Sequence, residues 1–518
     1  MKNTEDTSSD ESATCYKTED LSTYSKVLCL YTREPDSYQL YAIEDKQSAC
    51  FSQRWEKFLE LLKHTVSREI GTSGISERTI EAEAAVEFTC LQGVPIKVTE
   101  LRRNDEGQTR GIITIIENEN DFSHWMISHI LEQTRMDLDE KPAVGHGKLY
   151  AEMFTDYFAQ NLKNTTKNDQ WGEGGREYFL EKTRYFTDRF LKIECILPAF
   201  PCKSSNIEKV HGVFPDKGEE LALRRLAAAT QEVRKFYPPG MKIWIVSDGH
   251  VFSDCIGVDD DVVDEYTDRL HGFYQNLAVP GNDAIGFAGL KELFFTGETV
   301  LDFDEEMVSD IELPHYTGSK ICENSELSRR ILMKGFDTDD GSLRKQILIP
   351  GHPRLHLFRG FSKFMIDDLS HLAHFKNVSR KCFKKVVSKV AFEMIKRNDA
   401  YSNLVELLFP HHMRFSIHAH TNSGPKFGVK IISGNQCRTV KSLESLDEPS
   451  FEDLLHIPTP WHNCVIKLGD AYYLTKSKVV FEAITSGLYE GQWKEGGEQK
   501  NLGGHFVLKK KMHVQKQM

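Results

Sequence analysis

Between residues 193 and 250 the chain alternates short apolar runs with polar, proline-bearing stretches. Ile193–Leu197 is an apolar run that stops at Pro198, and it predicts a buried strand. The loop from Pro198 to Asn206 carries two prolines, which exclude helix and stiffen the backbone. From Gly218 to Tyr237, apolar residues recur at helical spacing among Ala, Leu, Glu and Arg, and Pro238-Pro239-Gly240 ends the helix. Met241–Val246 is a second apolar strand, leading into Ser247-Asp248-Gly249-His250. Strand, helix and strand make a βαβ unit with parallel strands. The predicted fold class is therefore α/β: a Rossmann-like, mostly parallel sheet flanked by helices, with an additional N-terminal α/β or α+β region. Both loops lie on the rim where open α/β sheets bind ligands. Lys203, Ser204, Ser205 and Asn206 are expected to face the same crevice as Asp248 and His250.

The same pattern divides the rest of the chain. Residues 1–25 are polar and acidic and read as a disordered tail. Residues 26–170 read as an N-terminal region with a helix around Phe58–Leu62 and a strand at Gly111–Ile116, its role unassigned. Residues 160–175 read as a linker or long loop. Residues 171–485 are expected to form the catalytic domain, and 486–518 a basic C-terminal tail. A helix is expected from Arg176 to about Leu191, and another from Val262 to Leu277, with Asp259-Asp260-Asp261 capping it. Arg354–Phe364 reads as an aromatic-rich turn or basic strand edge, followed by a Lys-rich solvated helix, Arg380 to Arg397. In Arg414–His420, alternation puts Arg414, Ser416, His418 and His420 on one strand face before a Thr-Asn-Ser-Gly-Pro turn. Pro458–Asn463 is a second rigid turn.

At 518 residues the chain exceeds one ordinary core, so two or more domains are expected. The net charge of −12 argues against broad nucleic-acid binding. No apolar run approaches the ~18 residues that span a bilayer. The polar, acidic start is unlike a secretory signal, which points to a cytoplasmic protein. Eleven scattered cysteines without a Cys-x-x-Cys pair indicate neither a disulfide framework nor a zinc ribbon.

Nucleotide and hydrolase motifs are missing: no GxGxxG follows a strand, and there is no P-loop, HExxH or GxSxG. His418 and His420, alternating on one strand, are the best metal candidates, with His250 as a conceivable third ligand. The alternative is that each is a hydrogen-bonded histidine, and no metal is assigned. Asp248-Gly249-His250 stands apart because an acid and an imidazole share the expected rim.

Several separated segments resemble one family, the pyoverdine/dityrosine biosynthesis proteins, or isocyanide synthases. They are Leu197-Pro198-Ala199-Phe200-Pro201 with Lys203-Ser204, Asn206–Val210, Ser247–Asp254, Arg359–Phe364, His418–Lys426 and Thr459–Asn463. The resemblance covers about residues 175–480. One departure is Ser205, where relatives often have proline after Lys-Ser. The fused iron/2-oxoglutarate dioxygenase module of some fungal relatives has no counterpart after these segments.

The resemblance implies an enzyme that condenses the α-amine of an amino acid with the ketone of ribulose 5-phosphate and fragments the adduct. An isocyanide is left on nitrogen. In the dityrosine branch the implied substrate is tyrosine, the product N-formyltyrosine, and the pathway spore-wall formation, with a downstream cytochrome P450 as partner. Such chemistry needs cations for phosphate and carboxylate, and proton carriers near neutrality. Lys203, Arg359, Lys363 and Lys426 supply the first. Asp248, His250, His418 and His420 supply the second, with Lys203 grouped among the catalytic candidates. Ser204, Ser205, Asn206, Ser362, Thr421, Asn422 and Ser423 are candidates for binding phosphate or sugar hydroxyls. No cofactor is expected. Two other classes remain open: a metal-dependent oxidoreductase centred on His418 and His420, and a non-catalytic interaction protein of the same fold.

Overall fold

Seven consecutive buried residues, Thr109–Ile115, form β6 at the middle of an antiparallel sheet. In a computed structural model, the described residues are 26–34, 37–42, 45–70, 74–85, 95–102, 107–115, 119–136, 145–278, 283–295, 303–337, 340–418, 420–444, 458–497 and 502–511. The acidic stretch 1–25 lies outside them. The chain groups into two units, residues 1–138 with 338–345, and residues 139–337 with 346–518.

In the first unit the strands are β1 (Lys26–Glu34), β2 (Ser37–Ala42), β3 (Arg68–Ile70), β4 (Ile75–Ile80), β5 (Ile96–Arg102) and β6, in the order β2-β1-β6-β5-β4-β3. Helices α1 (Asp45–His64), α2 (Ala82–Ala85), α3 (Asp121–Gln133) and, for all but its last residue, α11 (Asp340–Gln346) accompany them. Phe51, Trp55 and Phe58 of α1 pack with Leu28, Val98 and Ile113. The expected helix at Phe58 and strand at Gly111 are both present.

The second unit is built on the expected βαβ. Its helices are α4 (Gly147–Tyr157), α5 (Gly175–Thr187), α6 (Lys217–Phe236), α7 (Gly249–Ile256), α8 (Asp260–Leu277), α9 (Leu290–Phe294), α10 (Glu323–Phe336), α12 (Pro353–Leu369), α13 (Arg380–Leu408) and α14 (Ser477–Thr485). Strands β7 (Ile193–Leu197), β8 (Met241–Val246), β9 (Ile285–Ala288), β10 (Met413–Ser416) and β11 (Lys426–Gly428) form a sheet in the order β11-β10-β7-β8-β9. Every neighbouring pair is parallel. The order reverses beside β7, so the switch point lies between β7 and β10. Helix α6 starts with a capping box: Asp216 accepts from the Gly218 amide at 2.7 Å, and Glu219 accepts from the Asp216 amide at 2.9 Å. On the β10–β11 side, Phe158, Phe179, Phe415 and Phe427 pack in stacked and edge-to-face pairs with centroids 4.4–6.1 Å apart. Each such pair adds about 0.5–1.5 kcal/mol to what burial alone provides.

Five expectations change. Arg354–Phe364 is helical, not a strand edge or turn, because Pro353 opens α12 and the His352 ring accepts from the Arg354 amide at 3.1 Å. The Lys-rich helix continues to Leu408, with Val390, Ile395, Tyr401 and Leu404 buried, so it is a core helix with one charged face. Asp259 takes the N-cap position of α8, whereas Asp260 does not cap it. Asp260 is buried against Arg329 and Ser253, each at 2.6 Å. Residues 486–518 are not a simple tail. Strands β15 (Tyr489–Lys494) and β16 (His505–Lys510) join β12 (Arg438–Thr439), β13 (Cys464–Leu468) and β14 (Ala471–Thr475) in a mixed sheet, β12-β14-β13-β16-β15. The 160–175 stretch is no free linker: Leu162 is buried, and Lys163 pairs with Asp169 at 2.7 Å. Among the described residues, no helix is long and apolar enough to cross a membrane.

Candidate functional site

Two loops meet where β7 and β8 end. The Ser247 hydroxyl donates to the Phe200 carbonyl at 3.2 Å. A Cβ on Gly249 would stand 2.3 Å from the Pro201 oxygen, so the approach itself demands glycine. Phe200 holds a left-handed φ of 57° and packs on Trp461 at 5.1 Å. Such backbone strain persists where the surroundings fix it, often beside functional sites. Lys203 and His250 thus both follow the C-terminal ends of their strands, on one rim, as the βαβ reading requires.

Lys203 nevertheless does not open onto the crevice. Its side chain is fully buried, with Nζ 2.9 Å from both Asp216 and Glu219 and 3.0 Å from the Pro460 carbonyl. Burial works against its charge, but the two carboxylates outweigh it and hold Lys203 above its ordinary pKa. The lysine ties the 198–206 loop to the start of α6 and the Thr459–Asn463 turn. The next three residues are tied down as well. Ser204 donates to Asp368 at 3.1 Å, Ser205 to the Ile256 carbonyl at 2.8 Å and Asn206 to the Asp367 carbonyl at 3.1 Å. Their polar atoms are used to fix the loop, so the structure corrects the expectation that this segment faces substrate.

Asp248 and His250 diverge. Asp248 caps α7 by position and has no side-chain ion pair among the described residues, and burial pushes its carboxyl up to about 6. The neighbouring Tyr401 of α13 donates its hydroxyl to the Ser247 carbonyl at 2.8 Å. His250 turns the other way, with Nε2 2.8 Å from Asp264 of α8. Asp264 also receives Lys291. Burial, then Lys291, push His250 down to about 3, so the ring is neutral. It lines a cavity of about 70 Å³ with Ser247, Thr267 and Glu292. The carboxylate beside the His250 ring is therefore Asp264, not its rim neighbour Asp248.

A second cluster joins β10, β11 and α13. Ser402 is its hub: Nζ of Lys426 lies 3.1 Å from the Ser402 hydroxyl, and Nη2 of Arg414 lies 3.0 Å from the same oxygen. Arg414 also reaches Glu406 at 3.1 Å, and Arg354 reaches Asp399 at 2.8 Å. His420 Nε2 is 2.9 Å from the buried Ser416 hydroxyl. Alternation explains the gathering, since Arg414 and Ser416 share a strand face and Lys426 stands in register with Arg414. Asp399, Ser402 and Glu406 share a face of α13 at helical spacing. Three cations, Arg354, Arg414 and Lys426, thus meet two carboxylates, Asp399 and Glu406. Burial, then Lys426, push His420 down to about 4, and burial, then Arg414, push Lys426 down to about 8.

The other candidates lie outside this cluster. His418 is exposed, while its partner in the proposed metal pair, His420, turns to Ser416. Among the described residues, the group with metal-ligand spacing is Glu77, Glu119 and His124 in the first unit, where Lys97 already pairs with both carboxylates. Thr421 and Ser423 bond each other at 3.1 Å on the surface. Asn422 is buried and structural: its amide donates to Asn164 and Asp169 and accepts from Gly428. Arg359 and Lys363 are exposed, one turn apart on α12, without an ion pair among the described residues, and Ser362 is half-buried beside them. Sequence reasoning missed Asp264, Tyr401, Ser402 and Glu406. The polar stripe Asp399, Ser402, Glu406 in an otherwise apolar helical stretch was the available signal.

Residues 183–486 match the family described as pyoverdine/dityrosine biosynthesis protein. The chain is 61% identical to the spore wall maturation protein DIT1 of Saccharomyces cerevisiae over 495 residues, 95% of this chain and 92% of that one. It is 31% identical over 305 residues to an L-tyrosine isonitrile synthase of Xenorhabdus nematophila, covering 59% of this chain and 77% of that one. The crystal structure of the PvcA protein from Pseudomonas aeruginosa superposes with a TM-score of 0.53 at 23% identity, covering 69% of this chain and 99% of that one. Both clusters described above fall within the matched residues, and the chain belongs to the pyoverdine/dityrosine biosynthesis family.

Proposed function

We propose that this chain is a biosynthetic enzyme of the isocyanide synthase type. It joins the α-amine of L-tyrosine to the ketone carbon of ribulose 5-phosphate, then fragments the adduct to an isocyanide or, after hydration, N-formyltyrosine. In this reading the reaction is the first step of dityrosine formation for the spore wall. The names of the relatives supply the substrate class, since one is an L-tyrosine isonitrile synthase and another a spore wall maturation protein.

The observation that carries the reading is the half-buried cluster around Ser402. Its cations suit a doubly anionic sugar phosphate and an amino-acid carboxylate. A neutral imidazole at His420 and a carboxyl at Asp248 poised near 6 suit proton transfer at neutral pH. Arg359 and Lys363, without an ion pair among the described residues, offer further charge for the phosphate. His250, held by Asp264 with Nε2 as the donor, is neutral and keeps Nδ1 as a hydrogen-bond acceptor. Imine formation and fragmentation transfer no electrons to a cofactor, and we propose that none is used, metal included.

The test is incubation of the purified full chain with L-tyrosine and ribulose 5-phosphate, followed by mass spectrometry. Consumption of both with appearance of the isocyanide or the formamide is expected. Consumption of neither overturns the proposal. Activity abolished by a chelator and restored by iron or zinc would overturn the cofactor-free form of it.

A further inference from the structure

Several lysines that leave solvent in this protein take carboxylates with them. Lys163 lies on Asp169, Lys203 on Asp216 and Glu219, and Lys209 on Asp367 and Asp368. Lys426 differs. It is half-buried, yet among the described residues it forms no ion pair, and its hydrogen bond goes to the neutral Ser402 hydroxyl. The nearest charge on that hydroxyl is another cation, Arg414. Glu406 and Asp399, the carboxylates of the cluster, are engaged by Arg414 and Arg354. An ammonium in such a place is disfavoured, and a neutral amine is what a lysine needs to attack a carbonyl.

We infer that Lys426 is a covalent catalyst that forms a Schiff base with the ketone of the sugar phosphate before the amino acid reacts. The inference rests on the proposed function, and it assigns Lys426 a nucleophilic role in place of a point charge for phosphate. The lone pair of Nζ adds to the ketone carbon, giving a carbinolamine. Its hydroxyl leaves as water after protonation, and the iminium remains. The α-amine of the amino acid then adds to the same carbon, and Nζ leaves as the free amine. The result is the same imine that direct condensation would give, with lysine regenerated and no electrons exchanged. Burial, then Arg414 and Arg354, raise the share of neutral amine, and the same cations receive the anionic substrate. His420, neutral and fixed by Ser416, is placed to carry the protons that the carbinolamine gains and loses.

The test traps the intermediate. The full chain is mixed with ribulose 5-phosphate and sodium borohydride, digested, and mapped by mass spectrometry. Expected is a gain on the peptide containing Lys426 equal to the sugar phosphate less water plus two hydrogens, together with inactivation. In parallel, Lys426→Arg keeps the charge and removes the nucleophile. It is expected to bind ribulose 5-phosphate with nearly parental affinity and to lose turnover by about 10²-fold or more. Product formation by the parent chain without a trapped adduct overturns the inference and leaves the proposed function standing. Near-parental turnover by Lys426→Arg does the same. No product and no adduct overturns both.

Discussion

Nε2 of His250 lies 2.8 Å from Oδ1 of Asp264, on the following helix, and among the described residues no ion pair joins it to Asp248, two residues before it. Burial and Lys291 outweigh the pull of Asp264, so the folded ring takes a proton only near pH 3. An unfolded histidine takes one near pH ~6.5. Between those values the unfolded chain binds more protons, so this residue subtracts stability as pH falls through that window. His250→Gln is expected to lose less stability than the parent between pH 7 and pH 4, as read from urea midpoints. Equal losses would mean that the ring is not held neutral.

Lys203 is expected to matter for folding first. Removing it as Lys203→Met leaves Asp216 and Glu219 buried without their cation. Breaking a buried pair from one side costs about 3–5 kcal/mol. Denaturant unfolding of the variant should show a loss of that order, with the remaining folded fraction still turning over. Parental stability with abolished turnover would return Lys203 to the chemistry.

The βαβ core was legible because β7 and β8 are buried on both faces, which leaves near-continuous apolar runs in the sequence. Where the sequence misled, long-range partners decided. Lys203 reads as a site cation until Asp216 and Glu219 are brought against it by the turn into α6. Asp264 sits in an ordinary amphipathic helix, and only the packing of α8 on α7 makes it the partner of His250. The His420, Lys426 and Arg414 grouping was partly visible, because alternation fixes one strand face. Its fourth member, Ser402, comes from a helix whose lysines made it read as solvated. Helix α12 is masked by its aromatic residues, which suggest a turn, and its sequence signal is the His352-Pro353 start.

Arg359 and Lys363 offer a separable test of phosphate recognition. Both are exposed and unpaired among the described residues, so alanine at either should change stability by less than about 0.5 kcal/mol. If they meet the phosphate, Arg359→Ala raises KM for ribulose 5-phosphate several-fold while KM for tyrosine stays near the parental value. Equal changes for both substrates, or none, assign these cations to a solvated helix face.

Asp248 carries the clearest conflict between stability and use. Its carboxyl is half-buried with no ion pair among the described residues, and burial pushes it up to about 6, while an unfolded aspartate ionises near ~3.9. Between those values the folded protein binds more protons than the unfolded chain. Stability therefore declines as pH rises through that window, and the full cost, on the order of 1–3 kcal/mol, is present at neutrality. Asp248→Asn keeps the shape and removes the titration. It is expected to be more stable than the parent at pH 7.5, with the difference vanishing near pH 4. Its turnover should fall by about 10²-fold, the size of a lost general acid or base. The parent's rate should also change with pH near 6, and that step should be missing from the residual activity of the variant. A variant that is both more stable and fully active would show that the rim carboxylate takes no part in proton transfer.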